Sequence, residues 1–248
     1  MAESTEQDGP LAQFEIRSLV EMHLGGVDVS FTNSAAWMVL AIVLATLLLT
    51  LSMSGRAMVP GRWQSISELF YEFIANMVRD NVGTEGRRYF PFIFTLFIFI
   101  LFSNILGMLP YSFTTTSHII VTFALAFVVF LGVTVIGFLK NGLGFLRLFV
   151  PSGVPIALMP LLVVIEVISY FIRPISLSVR LFANMMAGHT MLKVFGGFVI
   201  SLGLLLGWAP LLFLVALTGL EIGIALLQAY VFTILTCLYL HDALHPGH

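Results

Sequence analysis

Six ionisable residues lie within the apolar C-terminal part of this sequence: Glu166, Arg173, Arg180, His189, Lys193 and Glu221. A charge at the centre of a bilayer costs at least about 2.5–3.5 kcal/mol, so each is a candidate functional group from the outset. Glu166, Arg173 and Arg180 are seven apart, which advances only about 20° per step around a helix and puts them on one stripe. Asn184, four beyond Arg180, stays on that side, whereas His189, nine beyond it, falls near the opposite face. Glu221 and Gln228 are again seven apart and share a face of the last apolar segment. Arginine does not release its proton, so Arg180 can act only as a fixed positive charge. Histidine and an environment-tuned glutamate take up and release protons near neutral pH. At about 4 Å and an effective dielectric near 20, an arginine–carboxylate attraction is about 4 kcal/mol. That shifts a carboxylate pKa by up to roughly three units. A fixed cation on one face with titratable groups on another suits proton movement gated by electrostatics.

Each residue also has a plainer reading. Arg180 could be a structural cation paired with Glu166, and Glu166 could simply neutralise Arg173. Arg173, beside Pro174, is equally an anchor, an ion-pair partner or a pathway residue. His189 could be a packing histidine, and Asn184 and Gln228 could be interhelical hydrogen-bond glue. Lys193 reads as a snorkelling side chain. His241 and His245, four apart, could in principle bind a metal, but Asp242 stands where a metalloprotease motif has glutamate and Pro246 ends the element, so a solvated tail is expected. His118, beside Thr114, Thr115 and Thr116, reads as an interfacial residue. The single cysteine, Cys237, excludes a disulfide framework and a multi-cysteine metal site, and its apolar setting predicts a small buried hydrophobe.

The elements that position these residues follow from composition. Of 248 residues, 59% are hydrophobic and only 10% charged, against about 25% charged in an average soluble domain; mean hydropathy is +1.03. No Asp, Glu, Lys or Arg occurs between Asp28 and Arg56, between Arg88 and Lys140, or between Lys193 and Glu221. Each gap holds about the 20 apolar residues that cross a bilayer core as helix. An all-α polytopic membrane protein is predicted, a single membrane domain over 1–248 with five crossings: 34–53, 90–109, 118–139, 155–207 and 210–240. Soluble enzymes and nucleic-acid binders are excluded, and a net charge of −2 implies no polyanionic partner. No signal peptide is seen: residues 1–33 are polar and acidic, with Glu3, Glu6, Asp8, Glu15, Glu21 and Asp28 against Arg17.

Arg56, Arg62, Arg79, Arg87 and Arg88 follow the first span, and Lys140 and Arg147 follow the third. The positive-inside rule then sets the N-terminus outside and the C-terminus inside. Between the first two spans, Ile66, Leu69, Phe70, Phe73, Ile74 and Met77 keep helical spacing with Glu68, Glu72, Asn76 and Arg79 on the other side. An amphipathic helix over 63–80 lying on the membrane surface is expected, with Ser65 and Glu68 as its capping box; a helix packed on a partner subunit fits the pattern equally. As one helix, 155–207 would reach about 75 Å against a core of about 30 Å. It must tilt strongly or break at Pro160, Pro174 or Gly196–Gly197, and a steeply inclined helix packed against another protein is expected.

The run from Pro174 to His189, Pro-Ile-Ser-Leu-Ser-Val-Arg-Leu-Phe-Ala-Asn-Met-Met-Ala-Gly-His, resembles the signature of subunit a of F-type ATP synthases. Asn104-Ile-Leu-Gly-Met-Leu-Pro110-Tyr111 resembles that family's second-span motif, and Leu227-Gln-Ala-Tyr-Val-Phe232 its final-helix motif. The resemblance covers essentially the whole chain. It implies that Arg180 is the essential arginine facing a rotating ring of c subunits, with Asn184 and Gln228 as polar neighbours along the ring interface. It also implies that His189 and Glu221 are a pair in the half-channel open to the outside, in the exchanged order of mitochondrial-type members, with Glu166 at a further acidic position on the proton path. The implied partners are the c-ring, b-type peripheral stalk subunits and the remainder of the synthase. The implied cargo is the proton, with no cofactor and no ATP chemistry on this chain. A bacterial plasma membrane is expected over a mitochondrial inner membrane because of the acidic N-terminal segment. A proton-coupled secondary transporter is the rival, but no internal repeat of the kind such folds carry is evident. A membrane anchor subunit, with charges that only pair with partners, is another.

Overall fold

The computed structural model describes residues 15–16, 18–21, 23–24, 27–28, 30–54, 60–109, 112–150, 155 and 158–246. Glu3, Glu6, Asp8, Arg17, Arg56, Pro110 and Tyr111 lie outside them.

Among the described residues there are six α-helices: α1 (Asn33–Met53), α2 (Arg62–Val82), α3 (Phe90–Gly107), α4 (Ile119–Asn141), α5 (Met159–Leu206) and α6 (Trp208–Leu244). Five apolar stretches among the described residues are long enough to cross a membrane: Asn33–Met53, Phe90–Gly107, Ile119–Phe149, Met159–Gly203 and Trp208–Leu244. Their outward side chains are apolar, with Ile120, Leu139 and Ile200 exposed by 72, 82 and 83%. Polar groups such as Asn104, Thr122 and Thr233 are instead fully buried. Surface of this kind belongs in hydrocarbon, where helices satisfy every backbone group internally. The fold is an all-α polytopic membrane protein.

The chain divides into two compact units. Unit one comprises Met1–Thr50, Ile98–Ile119 and Leu181–Ala229; unit two comprises Leu51–Phe97, Ile120–Arg180 and Tyr230–His248. Unit one includes four short strands before α1, an element the acidic segment did not suggest. Ser18–Val20 (β1) pairs antiparallel with Phe31–Thr32 (β4), and His23–Leu24 (β2) with Val27–Asp28 (β3). In unit two Phe130 and Phe149 gather around the buried Phe145 and Tyr170 as an aromatic cluster, and Thr134 and Tyr170 share a 2.6 Å hydrogen bond.

Two of these helices, α2 and α5, differ from expectation. α2 begins at Arg62 with Gly61 as its N-cap, so Ser65 is inside the first turn. Its hydroxyl donates to the Gly61 carbonyl at 3.1 Å, and Glu68 accepts from Gln64 at 2.7 Å; there is no capping box. The helix ends at Gly83, whose φ of +83° is costly for any residue with a Cβ. Ile74 and Met77 face the interior with Gln64, Ser67, Val78 and Val82, while Trp63, Ile66, Leu69 and Phe73 stay exposed. α5 does not break at Pro160, Pro174 or Gly196–Gly197. It runs about 72 Å by its 48 residues, and its helical backbone is interrupted at Gly203, with φ +60°. Proline costs a helix one hydrogen bond, and packing of Pro174 into unit two, where it is buried, outweighs that loss.

The C-terminal residues are no solvated tail. α6 continues through His241 to Leu244, Ala243 and Leu244 are buried, and the Ala243 carbonyl accepts a 2.7 Å bond from Asn141. In the segment after α3, Ser112 to Ser117 are all buried. Their hydroxyls bond to carbonyls of the chain around them, as Ser112 does to Gly107 at 2.9 Å and Ser117 to Thr114 at 2.6 Å.

Candidate functional site

In unit one, α5 supplies His189 and α6 supplies Glu221. Both are nearly buried, at 8 and 5% exposure. His189 Nδ1 lies 2.5 Å from Glu221 Oε1, an ion pair by distance that stands off the ideal hydrogen-bond line. Glu221 Oε2 is buried with no hydrogen-bond partner among the described residues. Gly188 makes the approach possible: a Cβ there would stand 2.6 Å from Oε1 and 2.9 Å from Cδ of Glu221.

The other imidazole nitrogen fixes the proton arrangement. Nε2 lies 2.7 Å from the Gly107 carbonyl oxygen, which can only accept, so Nε2 carries a hydrogen. The Thr114 hydroxyl is 3.0 Å from the same nitrogen and 3.2 Å from the same carbonyl. With Nε2–H committed, the next proton sits between Nδ1 and Oε1. Neutral imidazole with carboxylic acid, and imidazolium with carboxylate, are two placements of one proton. The pair can therefore take up, hold and pass on a single proton.

Buried polar groups around the pair are hydrogen-bonded to the neighbouring helices. Asn104, completely buried on α3, donates to the Ala225 carbonyl of α6 at 3.1 Å and accepts from Thr116 at 3.0 Å. This ties the 112–117 segment and α3 to the helix that bears Glu221. Gln228, 6% exposed, lies on the same buried stripe of α6 as Glu221 and Ala225. Asn184 is half-buried and makes no hydrogen bond among the described residues; with Gly188, Met191, Leu220 and Glu221 it lines a groove of about 140 Å³. At the edge of this unit, outside the spans, His118 stacks on Phe113 with centroids 4.9 Å apart, and burial pushes its imidazole below the usual value.

Unit two holds the remaining candidates. Arg173 pairs with Asp242 at 2.9 Å and lies over the rings of Tyr239 (4.9 Å) and Tyr170 (5.5 Å). Its partner is Asp242, not Glu166. Glu166 is half-exposed and Arg180 exposed, and neither forms an ion pair among the described residues. Lys193, in unit one, is exposed, and Cys237, in unit two, is fully buried. Among the described residues no group of three His, Cys, Asp or Glu could hold a metal ion.

The spacing of charges pointed to His189 and Glu221 but missed Asn104, Gly107, Thr114, Thr116 and Gly188. The available signals were a buried-type amide in a charge-free span and three consecutive threonines before a histidine.

Apolar helices long enough to span a membrane, with arginines, glutamates, a histidine and a lysine set into their lengths, mark the class of polytopic membrane proteins that carry functional charges within the bilayer. Residues 34–241 match the family described as ATP synthase A chain. Similar proteins are the ATP synthase subunit a of Parvibaculum lavamentivorans, 62% identical over 260 residues and covering 100% of both chains. That of Paramagnetospirillum magneticum is 64% identical over 242 residues, 95% of this chain and 98% of the relative. That of Pelagibacter ubique is 59% identical over 240 residues, 96% and 98% respectively. The chain belongs to this family, subunit a of the F-type ATP synthase, the proton-translocating and non-catalytic subunit of the membrane sector. It therefore works within the synthase complex, and the transporter reading is not favoured.

Proposed function

We propose that His189, Glu221, Arg180 and Glu166 carry proton translocation through two half-channels that meet a rotating c-ring. The observation that carries this reading is the buried His189–Glu221 pair, joined at 2.5 Å with one imidazole nitrogen already committed. A proton from outside passes to this pair and then neutralises a ring carboxylate. The ring turns, and the carboxylate gives its proton to a second half-channel when Arg180 draws it into the ionised form. Arg180, exposed and without an ion-pair partner among the described residues, is available for a carboxylate from another chain. Its permanent charge also blocks a direct leak between the half-channels. Each charge crossing 100 mV supplies about 2.3 kcal/mol, so several must pass for each ATP made elsewhere in the complex.

Asn184 and Gln228 are assigned to the ring interface and the half-channel walls; the groove beside Asn184, with Glu221 on its lining, supports the first of these. Arg173, expected with them at the interface and half-channel, is held by Asp242, which supports a role as an anchor. The partners are the c-ring, b-type peripheral stalk subunits and the remainder of the synthase, with the proton as transported ion. The setting is a bacterial inner membrane, N-terminus outside and C-terminus cytoplasmic, in keeping with the basic residues that flank α2 and follow α4. The deciding experiment is Arg180→Ala in reconstituted vesicles. ATP-driven proton pumping is expected to be abolished while the complex still assembles; coupled pumping at the normal rate would reject the assignment.

A further inference from the structure

In unit two, two grooves flank the short 3-10 helix Thr84–Arg88 and share Thr84 and Arg87 as a common wall. The larger, about 940 Å³, also presents Arg88 and Lys140 over an apolar floor that includes Ile136 and Leu139. The smaller, about 550 Å³, adds Arg79 and is walled by Tyr71, Phe90 and Pro91. Two of these cations are already engaged: Lys140 by Glu85, the carboxylate on the larger groove, and Arg79 by Asp80 at 3.6 Å. Arg87 and Arg88 are exposed and form no ion pair among the described residues.

Their position along the chain gives the depth. Arg88 stands two residues before Phe90, the first residue of a spanning helix, and Ile136 and Leu139 lie within the span Ile119–Phe149. Two guanidiniums thus sit where headgroups begin, beside apolar side chains at acyl depth. A guanidinium binds a phosphate through two parallel hydrogen bonds, which an ammonium cannot reproduce. A free phosphate would leave the apolar floor unused. A protein acid would leave Leu139, 82% exposed, without the hydrocarbon it needs. We propose that these grooves are a binding site for an anionic phospholipid, its phosphate held between Arg87 and Arg88 and an acyl chain laid along Ile136 and Leu139. This does not depend on the proton-path assignment.

The test uses the whole purified synthase complex in vesicles containing phosphatidylglycerol with a photoactivatable group in one acyl chain. On irradiation, peptides spanning 136–140 or containing Tyr89 are expected to be labelled. Phosphatidylcholine with the same labelled chain is expected to label them far less, and excess inorganic phosphate is expected not to protect them. Arg87→Gln with Arg88→Gln is expected to lower the affinity for the anionic lipid about thirtyfold, from the contribution of each basic residue near an anionic surface. Equal labelling by the zwitterionic lipid would overturn the proposal. So would protection by phosphate, which marks a free-anion site, or no labelling in the wild-type complex, which marks a surface covered by another subunit. These wild-type arms decide the matter even if the double variant does not assemble.

Discussion

Gly188 controls how near Glu221 can come to α5, and hence whether the histidine–glutamate pair exists. A methyl at this position would meet Oε1 at 2.6 Å and Cδ at 2.9 Å. The carboxylate is clamped against His189 and cannot swing aside without giving up the 2.5 Å contact. Overpacking of this size costs about 1–3 kcal/mol, and each 1.4 kcal/mol on a rate-limiting step is about tenfold. Gly188→Ala is therefore expected to slow proton pumping about tenfold while leaving assembly unchanged. The initial pumping rate in inverted vesicles, compared with the amount of assembled complex, measures both. A rate equal to wild type would mean that the pair is not on the proton path. The glycine itself gave no warning in the sequence, because the reason for it lies 33 residues away in Glu221.

At the scale of elements, the pairing of Arg173 with Asp242 joins α5 to the last turn of α6 within unit two. The pair is partly exposed, at 23 and 37% of the two side chains, so solvent screening limits its strength. The two tyrosine rings on Arg173 add cation–π attraction that a lone surface pair lacks. Arg173→Ala is expected to cost about 1–3 kcal/mol, the value of a charged hydrogen bond with its ring contacts. A double-mutant cycle with Asp242→Asn, read as the thermal release of this chain from the complex, should show a coupling near 1 kcal/mol. A coupling of zero would remove the pair as a fastening. Spacing in the sequence indicated the apolar helices, because apolar length and charge-free gaps are properties of the segment itself. Asp242 escaped because its partner is 69 residues away. The strands before α1 escaped because an acidic segment of mixed polarity has no clean alternation. The continuous path of α5 through Pro174 escaped because proline is a local breaker that tertiary burial can overrule.

For the molecule as a whole, the spans turn apolar side chains outward and polar ones inward, so a response to pH is read most directly at ionisable groups beyond them that burial has shifted. His118 is one that lies outside the spans. Its ordinary value is 6.5, and desolvation beside Phe113 holds it lower in the folded chain. The unfolded chain therefore binds this proton at a higher pH than the folded one. By linkage the favourable contribution is complete above pH 6.5 and is lost as the pH falls through the folded value. Acidification from about pH 7 to about pH 5 is thus expected to lower the thermal midpoint of the purified complex. Other ionisable groups contribute to such a fall as well, so the informative quantity is a difference between proteins rather than the slope itself. His118→Gln keeps a polar side chain of similar reach but cannot take up a proton, and its midpoint should fall less over the same range. Midpoints that fall in parallel for both proteins would show that His118 makes no contribution.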